Sequence, residues 1–128
     1  MSNYPFKPRQ GPILVETQIT GPAMSTDVRL LLDTAATMSL IDLTILCKLG
    51  FDPAQPLRQV QLRTGHARGI VPVYALTRFS ALGQHHIFFL VIGHTLPPTS
   101  NVDGLLGLDF LQDQILTIDF RLGQISLA

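Results

Sequence analysis

The chain has 128 residues, close to the commonest size of a single domain; 46% are hydrophobic and 14% are charged. Nine basic residues balance nine acidic ones, so the formal net charge is zero. A face that binds a nucleic-acid backbone normally carries an excess of lysine and arginine, so we expect no nucleic-acid partner. The low share of charge predicts instead that part of the surface is covered, most simply by a second copy of the chain.

The whole chain, residues 1–128, is predicted to be one domain. Its longest apolar run, Ile87–Ile92, is six residues long, whereas a membrane helix needs about twenty. The first ten residues lack the apolar core of a signal peptide. The single cysteine, Cys47, lies among apolar residues of a predicted helix, which indicates a buried, unreactive thiol. We therefore expect a cytoplasmic protein with no membrane segment.

Short apolar runs between turn-forming residues predict a mostly β domain. Residues 13–19 form the first predicted strand, between two Gly-Pro pairs, and residues 27–32 form the second, which becomes wholly apolar towards its end. A short helix is predicted over residues 42–49. Asp42 is its expected N-cap, and Gly50 is expected just past its end.

Two hairpins are predicted next. Strands over residues 57–63 and 70–78 flank the glycine-bracketed loop 64–69. Pro72 has no N–H donor, so it should lie on a sheet edge or an exposed arm. The second hairpin turns near Gly83 and returns over residues 86–92. The predicted elements beyond it are a short helix over 109–113, a strand over 115–120, a turn at Gly123 and a strand over 124–127.

Asp33 stands out because it follows three leucines of a predicted strand, where an ionised carboxylate is costly unless something compensates it. Thr34 and two alanines come next. Small side chains let a ligand approach the backbone closely, and the threonine hydroxyl can both donate and accept hydrogen bonds. Taken alone, however, Asp-Thr-Ala is more typical of an aspartate that caps a turn.

The surroundings of Asp33 favour a catalytic interpretation. Residues 31–41, Leu-Leu-Asp-Thr-Ala-Ala-Thr-Met-Ser-Leu-Ile, resemble the active-site segment of retropepsin-like aspartic proteases. Residues 102–111 resemble the second signature of that family, two apolar residues and a glycine that run into a helix. The loop 65–69 falls where the family has its flap. The resemblance covers a core of residues 11–128, and it implies an all-β, closed, barrel-like fold with one or two short helices, active as a symmetric dimer.

The resemblance also implies an aspartic endopeptidase, a hydrolase that needs no metal and no cofactor. In this class two carboxylates share one proton and activate a water. Since the chain has one Asp-Thr motif, the second carboxylate is expected from a second copy, with Asp33 facing Asp33 across a homodimer. Thr34 is expected to hydrogen-bond across the two-fold axis and so hold together the two loops that carry Asp33. The residues expected to contact the peptide or protein substrate are Ala35, Ala36, Thr37, Gly65 and His66.

Ala35 departs from the family pattern, which usually has glycine there. If this position requires a positive φ, the methyl group costs on the order of 1 kcal/mol or more. If this position requires only that the substrate approach the backbone closely, the methyl group narrows the substrate cleft. The alternative function is therefore a catalytically weak or inactive domain that serves as a dimerisation or peptide-binding module. A third hypothesis is a monomeric β-barrel in which Asp33 only caps a turn.

The other ionisable side chains have simpler interpretations. His85 and His86 are adjacent on a predicted strand and therefore point to opposite faces, so they predict no metal site. Asp42 is explained by helix capping. Asp109 and Asp119 are expected in turn or solvent positions. None of these three is predicted to be a second catalytic carboxylate within the chain.

Overall fold

The structure is a computed structural model that describes residues 2–63 and 68–128. The proposed substrate contacts Gly65 and His66 lie outside the described residues. The strands are β1 (Tyr4–Pro5), β2 (Leu14–Thr20), β3 (Ser25–Leu32), β4 (Leu40–Asp42), β5 (Arg58–Arg63), β6 (Arg68–Ala81), β7 (Gln84–His94), β8 (Gly104–Leu106), β9 (Leu116–Asp119) and β10 (Gln124–Leu127). The helices are α1 (Leu43–Lys48) and α2 (Leu108–Leu111).

Six strands close into a barrel in the order β2–β3–β8–β4–β7–β6, and a second pairing of β2, with β6, closes it. β5 extends the barrel as the outer strand of a hairpin with β6. Two pairs are parallel, β3 with β8 and β4 with β7, and the others are antiparallel. This is the all-β, closed barrel with two short helices that the sequence predicted.

Alternating side chains explain why the long strands form where they do. In β2, Val15, Thr17 and Ile19 are buried while the residues between them are exposed, as expected for a strand with one face on the core. β3 continues the same pattern with Val28 and Leu30. Each fully buried aliphatic side chain contributes about 1.5–3 kcal/mol relative to leaving it in water, so this alternation fixes the register of the barrel.

The helix α1 is confirmed, and so are both of its predicted ends. The Asp42 carboxylate accepts a hydrogen bond from the Thr44 N–H at 3.3 Å, and Gly50 takes a φ of +103° just past the last turn. Cys47 is exposed, however, so the prediction of a buried thiol was wrong. The six-residue helix buries Leu46, and the next position, Cys47, points away from the core.

Pro72 lies within β6, opposite Gln59 of β5, in the arm where β6 has not yet begun to pair with β7. Its missing N–H therefore interrupts no barrel hydrogen bond, and the predicted exposed arm is confirmed. In the part of the chain that the structure describes, we find no helix with the length and apolar character that crossing a membrane requires. The cytoplasmic location stays a prediction.

The strands β1, β10 and β9 form a separate three-stranded sheet, called here the terminal sheet. β10 lies in the middle, with Tyr4 of β1 opposite Ile125 on one side and β9 on the other. The rings of Phe6 and Phe120 meet edge to face with centroids 6.0 Å apart. Asp119 is the last residue of β9 and is partly buried, so the predicted turn or solvent position was wrong; its Oδ1 accepts two backbone N–H groups of the following turn at 2.9 Å.

Candidate active site

The barrel fixes the backbone of Asp33. β3 runs parallel to β8, with Leu32 opposite Leu106, and the pairing continues one residue further because the Asp33 N–H donates to the Leu106 carbonyl at 3.0 Å. On the other side, the Leu32 N–H donates to the Ile13 carbonyl at 2.9 Å. These backbone hydrogen bonds to both sides of β3 fix the position at which Asp33 follows the end of the strand.

The carboxylate of Asp33 is also held by its own loop. Its Oδ1 accepts the Ala35 N–H at 2.9 Å, and the Ala36 N–H donates to the Asp33 carbonyl at 3.1 Å. Asp33 is partly buried, whereas Thr34, Ala35 and Thr37 are exposed. The aspartate does cap a turn, and that turn orients its side chain beside an exposed loop of small residues.

Ala35 is not strained. The described non-glycine residues with a positive φ are Arg9, Leu82, Phe88 and Asp113. Ala35 is not among them, so its methyl group fits an ordinary backbone conformation. The glycine usual in the family is therefore not required here by φ.

The two sequence motifs meet where the glycines of the second pack against the backbone of the first. A Cβ placed on Gly107 would lie 2.7 Å from the Ala36 carbonyl oxygen, and one placed on Gly104 would collide with the Leu40 carbonyl. The Leu108 N–H donates to the same Ala36 carbonyl at 2.8 Å. The absence of a side chain at both glycines lets the second signature pack directly against the loop of the first.

A buried hydrogen-bonded cluster, which the sequence did not predict, joins the same two segments. Ser39 is fully buried, and its hydroxyl donates to Asp109 Oδ1 at 2.8 Å and accepts the Gly107 N–H at 3.0 Å. The Ser39 N–H donates to Asp109 Oδ2 at 2.9 Å. Two donors from Ser39 thus converge on one carboxylate that lies 70 residues further along the chain.

Asp109 therefore does not occupy the predicted turn or solvent position. It is the second residue of α2 and is partly buried, and its carboxylate faces Ser39 and accepts hydrogen bonds from both Ser39 groups. Burial raises the pKa of Asp109 above its ordinary value, while the hydrogen bonds from Ser39 act in the opposite direction. A lone serine between Met38 and the apolar pair Leu40-Ile41 was the available signal in the sequence.

The histidines lie apart, as predicted. His85 is exposed, and its Nδ1 lies 2.8 Å from the Ser80 hydroxyl. His86 points to the other face of β7 and packs against Phe89 and Phe110, with ring centroids 5.5 and 5.0 Å away. Within residues 2–63 and 68–128, no three histidine, cysteine or acidic side chains are grouped as metal ligands.

Comparison with known proteins identifies the family and the fold of the chain. Residues 15–110 match the family model described as aspartyl protease, a span that contains the whole first motif and all but the last residue of the second. The structure is similar to a retropepsin-like aspartic protease from Rickettsia conorii, with a TM-score of 0.65, 17% identity, and coverage of 99% of this chain and 93% of that one. It is also similar to the retroviral protease-like domain of Ddi1 from Leishmania major, with a TM-score of 0.59 and 18% identity. The match covers 94% of this chain and 96% of that one. No curated protein matches the chain significantly.

Proposed function

This chain belongs to the aspartyl protease family and has the retropepsin-like fold, and we propose that it is an aspartic endopeptidase that works as a homodimer. The single observation that carries the proposal is the geometry of Asp33. Its backbone is fixed by the barrel and its Oδ1 by the Ala35 N–H, beside an exposed loop. The chain contains one Asp-Thr pair, so the second carboxylate is Asp33 of the partner subunit.

The proposed reaction is general acid–base hydrolysis with no covalent intermediate. Two facing carboxylates cannot both be ionised cheaply, so they share one proton. The ionised Asp33 takes a proton from a water, whose oxygen attacks the carbonyl carbon of the peptide bond. The protonated Asp33 gives its proton to the carbonyl oxygen. The tetrahedral intermediate then collapses: the leaving amine takes the proton that the dyad gained from water, the C–N bond breaks, and a hydroxyl of the intermediate returns its proton to the dyad as the C=O bond re-forms.

The neighbouring residues support distinct roles in this proposal. Thr34 is exposed beside the dyad, and we assign its hydroxyl to the contact between the two loops. Ala35 and Thr37 are also exposed, so we assign their side chains to the lining of the cleft. Because the Ala35 N–H is already engaged by Asp33 Oδ1, the Ala35 carbonyl and the Thr37 backbone are the groups that pair with an extended peptide. Ala36 is different, since its N–H and carbonyl are both engaged within the chain, and it contributes only its methyl group. Gly65 and His66 are proposed to cover the substrate from the flap.

The test is cleavage of a mixed peptide library, followed by mass spectrometry over a range of pH. We expect the parent protein to cut and Asp33→Asn to be inactive, while the dimer and the circular dichroism spectrum are preserved. Asp27→Asn is the matched control, because Asp27 is an exposed carboxylate on β3, the strand that leads to Asp33. Equal cutting by Asp33→Asn and the parent would refute the proposal. No cutting by a dimeric parent under any condition would favour the alternative, a non-enzymatic module.

A further inference from the structure

The strands β6 and β7 form a surface that the proposed function does not use. Ser80 of β6 lies opposite His85 of β7, and Arg78 lies opposite Ile87, so these side chains occupy neighbouring positions on one face. Arg78, His85 and Ile87 are exposed, and Ser80 is half-buried. These residues together with Phe88 are called here the corner surface.

The alternation of buried and exposed residues is interrupted on both strands at this surface. On β7 the adjacent residues Ile87 and Phe88 are each 73% exposed, whereas Phe89 after them is buried. On β6 the adjacent residues Thr77 and Arg78 are both exposed as well. Successive side chains on a straight strand point to opposite faces, so an exposed pair on each strand marks a bend of the hairpin. A bend does not require apolar side chains, so it does not explain why Ile87 and Phe88 are exposed.

Phe88 also has an unfavourable backbone conformation. Its φ is +50°, in the left-handed region, where the Cβ of an ordinary residue lies too close to the backbone. Asparagine or glycine would adopt this conformation more easily and would expose less apolar surface. A side chain that is both strained and exposed lowers the stability of the free protein, and strain of this kind is concentrated at binding and catalytic sites.

The polar half of the corner surface is organised around the Ser80 hydroxyl. The Arg78 Nε donates to this hydroxyl at 3.3 Å, and the His85 Nδ1 lies 2.8 Å from the same oxygen. The residues of β2 beside them, Gln18 opposite Ser80 and Thr20 opposite Arg78, are uncharged. The strand beside Arg78 therefore offers its guanidinium no carboxylate. The group that fits there is a carboxylate from another molecule.

Two carboxylates of the chain lie beyond Ser80, on β2 and β3. Glu16 and Asp27 line the same open cavity as Ser80, with a volume of about 440 Å³. Asp27 lies opposite the residue of β2 that faces Ser80, so two strand spacings, roughly 10 Å, separate the backbones of Asp27 and Ser80. Arg78 and Ile87 do not line this cavity. The positive charge and the apolar side chains therefore lie together, at the end of the corner surface away from these carboxylates.

The corner surface is separate from the candidate active site. β2 begins with Leu14, which lies opposite Leu31 just before Asp33, and it ends with Thr20, which lies opposite Arg78. A strand of seven residues spans roughly 20 Å. A molecule on the corner surface therefore leaves the loop that follows Asp33 uncovered.

We propose that the corner surface is a docking site for a segment of another protein in which an aspartate or glutamate adjoins aliphatic residues. The carboxylate pairs with Arg78, whose guanidinium is held by Ser80, and the aliphatic side chains cover Ile87 and Phe88. Charge complementarity identifies this occupant. A purely apolar segment would bury the guanidinium without a partner, and a basic segment would be repelled by it. The inference does not depend on the proposed function.

The test is a titration with two blocked pentapeptides, acetyl-Gly-Asp-Val-Leu-Gly-amide and its counterpart with asparagine in place of aspartate. Asp33→Asn chains are used, so that cleavage at the candidate site does not consume the peptides. We expect the aspartate peptide to shift the backbone amide resonances of Ile87 and Phe88 in two-dimensional NMR spectra. It should bind about tenfold more tightly than the asparagine peptide, because only a carboxylate forms a charged hydrogen bond with Arg78.

Two substitutions test the two halves of the surface. Arg78→Gln should weaken binding of the aspartate peptide about tenfold and remove its advantage over the asparagine peptide. Arg29→Gln is the matched control and should leave binding unchanged, because Arg29 is an exposed arginine of the same barrel that lies opposite Glu16. Phe88→Asn should weaken binding of both peptides and raise the melting temperature, since asparagine accepts a positive φ with less strain. A purely structural role for Phe88 would instead lower the melting temperature.

Three results would overturn the inference. The first is no shift at Ile87 and Phe88 with the aspartate peptide at millimolar concentration. The second is equal binding by the Arg78→Gln and Arg29→Gln proteins. The third is a shift of the same resonances with protein concentration alone and none with peptide, which would show that a second copy of the chain covers the surface.

The inference and the proposed function fail separately. If cleavage depends on Asp33 but the aspartate peptide does not bind, the proposed function stands and the docking site does not. If the peptide binds through Arg78 but the parent protein cuts nothing, the docking site stands and the proposed function does not.

Discussion

Ser39→Ala is predicted to be the most destabilising single-atom change near the candidate site. The hydroxyl is fully buried and makes two hydrogen bonds, to Asp109 Oδ1 at 2.8 Å and from the Gly107 N–H at 3.0 Å. Its removal leaves a buried N–H without a partner and takes a donor from a partly buried carboxylate. Each loss typically costs about 1–3 kcal/mol, so we expect the free energy of unfolding to fall by about 3 kcal/mol.

Urea unfolding followed by circular dichroism measures this loss. All samples are kept at one protein concentration, because the stability of a dimer depends on concentration. With a slope of about 1.5 kcal/mol per molar urea, the midpoint should fall by about 2 M. Thr17→Val is the control, since Thr17 is equally buried but its hydroxyl donates only one local bond, to the Val15 carbonyl at 3.2 Å. We expect the control to lose less than about 1 kcal/mol. A Ser39→Ala loss no larger than that of the control would refute the role given to the cluster.

Three further changes test other parts of the site. Burial raises the pKa of Asp109, so Asp109 stabilises the fold mainly when it is protonated. The difference in unfolding free energy between the parent and Asp109→Asn should therefore fall as pH rises from the ordinary carboxyl range through the raised pKa. Urea titrations from pH 3 to 7 measure this difference, and one that grows with pH would contradict the prediction. Gly107→Ala places a methyl group 2.7 Å from the Ala36 carbonyl oxygen and should lower the unfolding free energy by about 1–3 kcal/mol. An unchanged melting temperature would show that Gly107 is not tightly packed against the loop that follows Asp33. Ala35→Gly should lower the unfolding free energy by about 0.5 kcal/mol, because Ala35 has no positive φ and glycine makes the unfolded chain more flexible. It should also raise kcat/KM for peptides with bulky residues at the cut. A gain in stability would mean that the Ala35 backbone is strained.

The features predicted correctly from sequence are those that local patterns determine. The alternation in β2 and β3 reflects one buried face, and it identified both strands to within two residues. Asp42 and Gly50 marked the ends of α1 because capping depends on residues close in sequence. The prediction that Asp33 is catalytic comes from a contiguous motif, and it stays a prediction. The prediction for Gly65 and His66 lies outside the described residues and stays a prediction.

The features missed from sequence depend on contacts between distant segments. β4 and β8 have only three residues each, too few for a periodic pattern, and they form because Gly104 fits against the Leu40 backbone. Asp109 is polar and near a helix start, so nothing local distinguishes an exposed cap from an inward carboxylate. Its position depends on Ser39, and that pairing exists only once the barrel has closed.

The measurement that tests the central claim most directly is the activity of mixed dimers. Parent chains are mixed with Asp33→Asn chains at varied ratios and a constant total concentration, under conditions that allow subunits to exchange. If both carboxylates of the dyad come from Asp33, only parent–parent dimers cut, so activity follows the square of the parent fraction and falls to about a quarter at an equal mixture. Activity that falls in simple proportion to the parent fraction would show that each chain acts alone, and it would contradict the shared dyad.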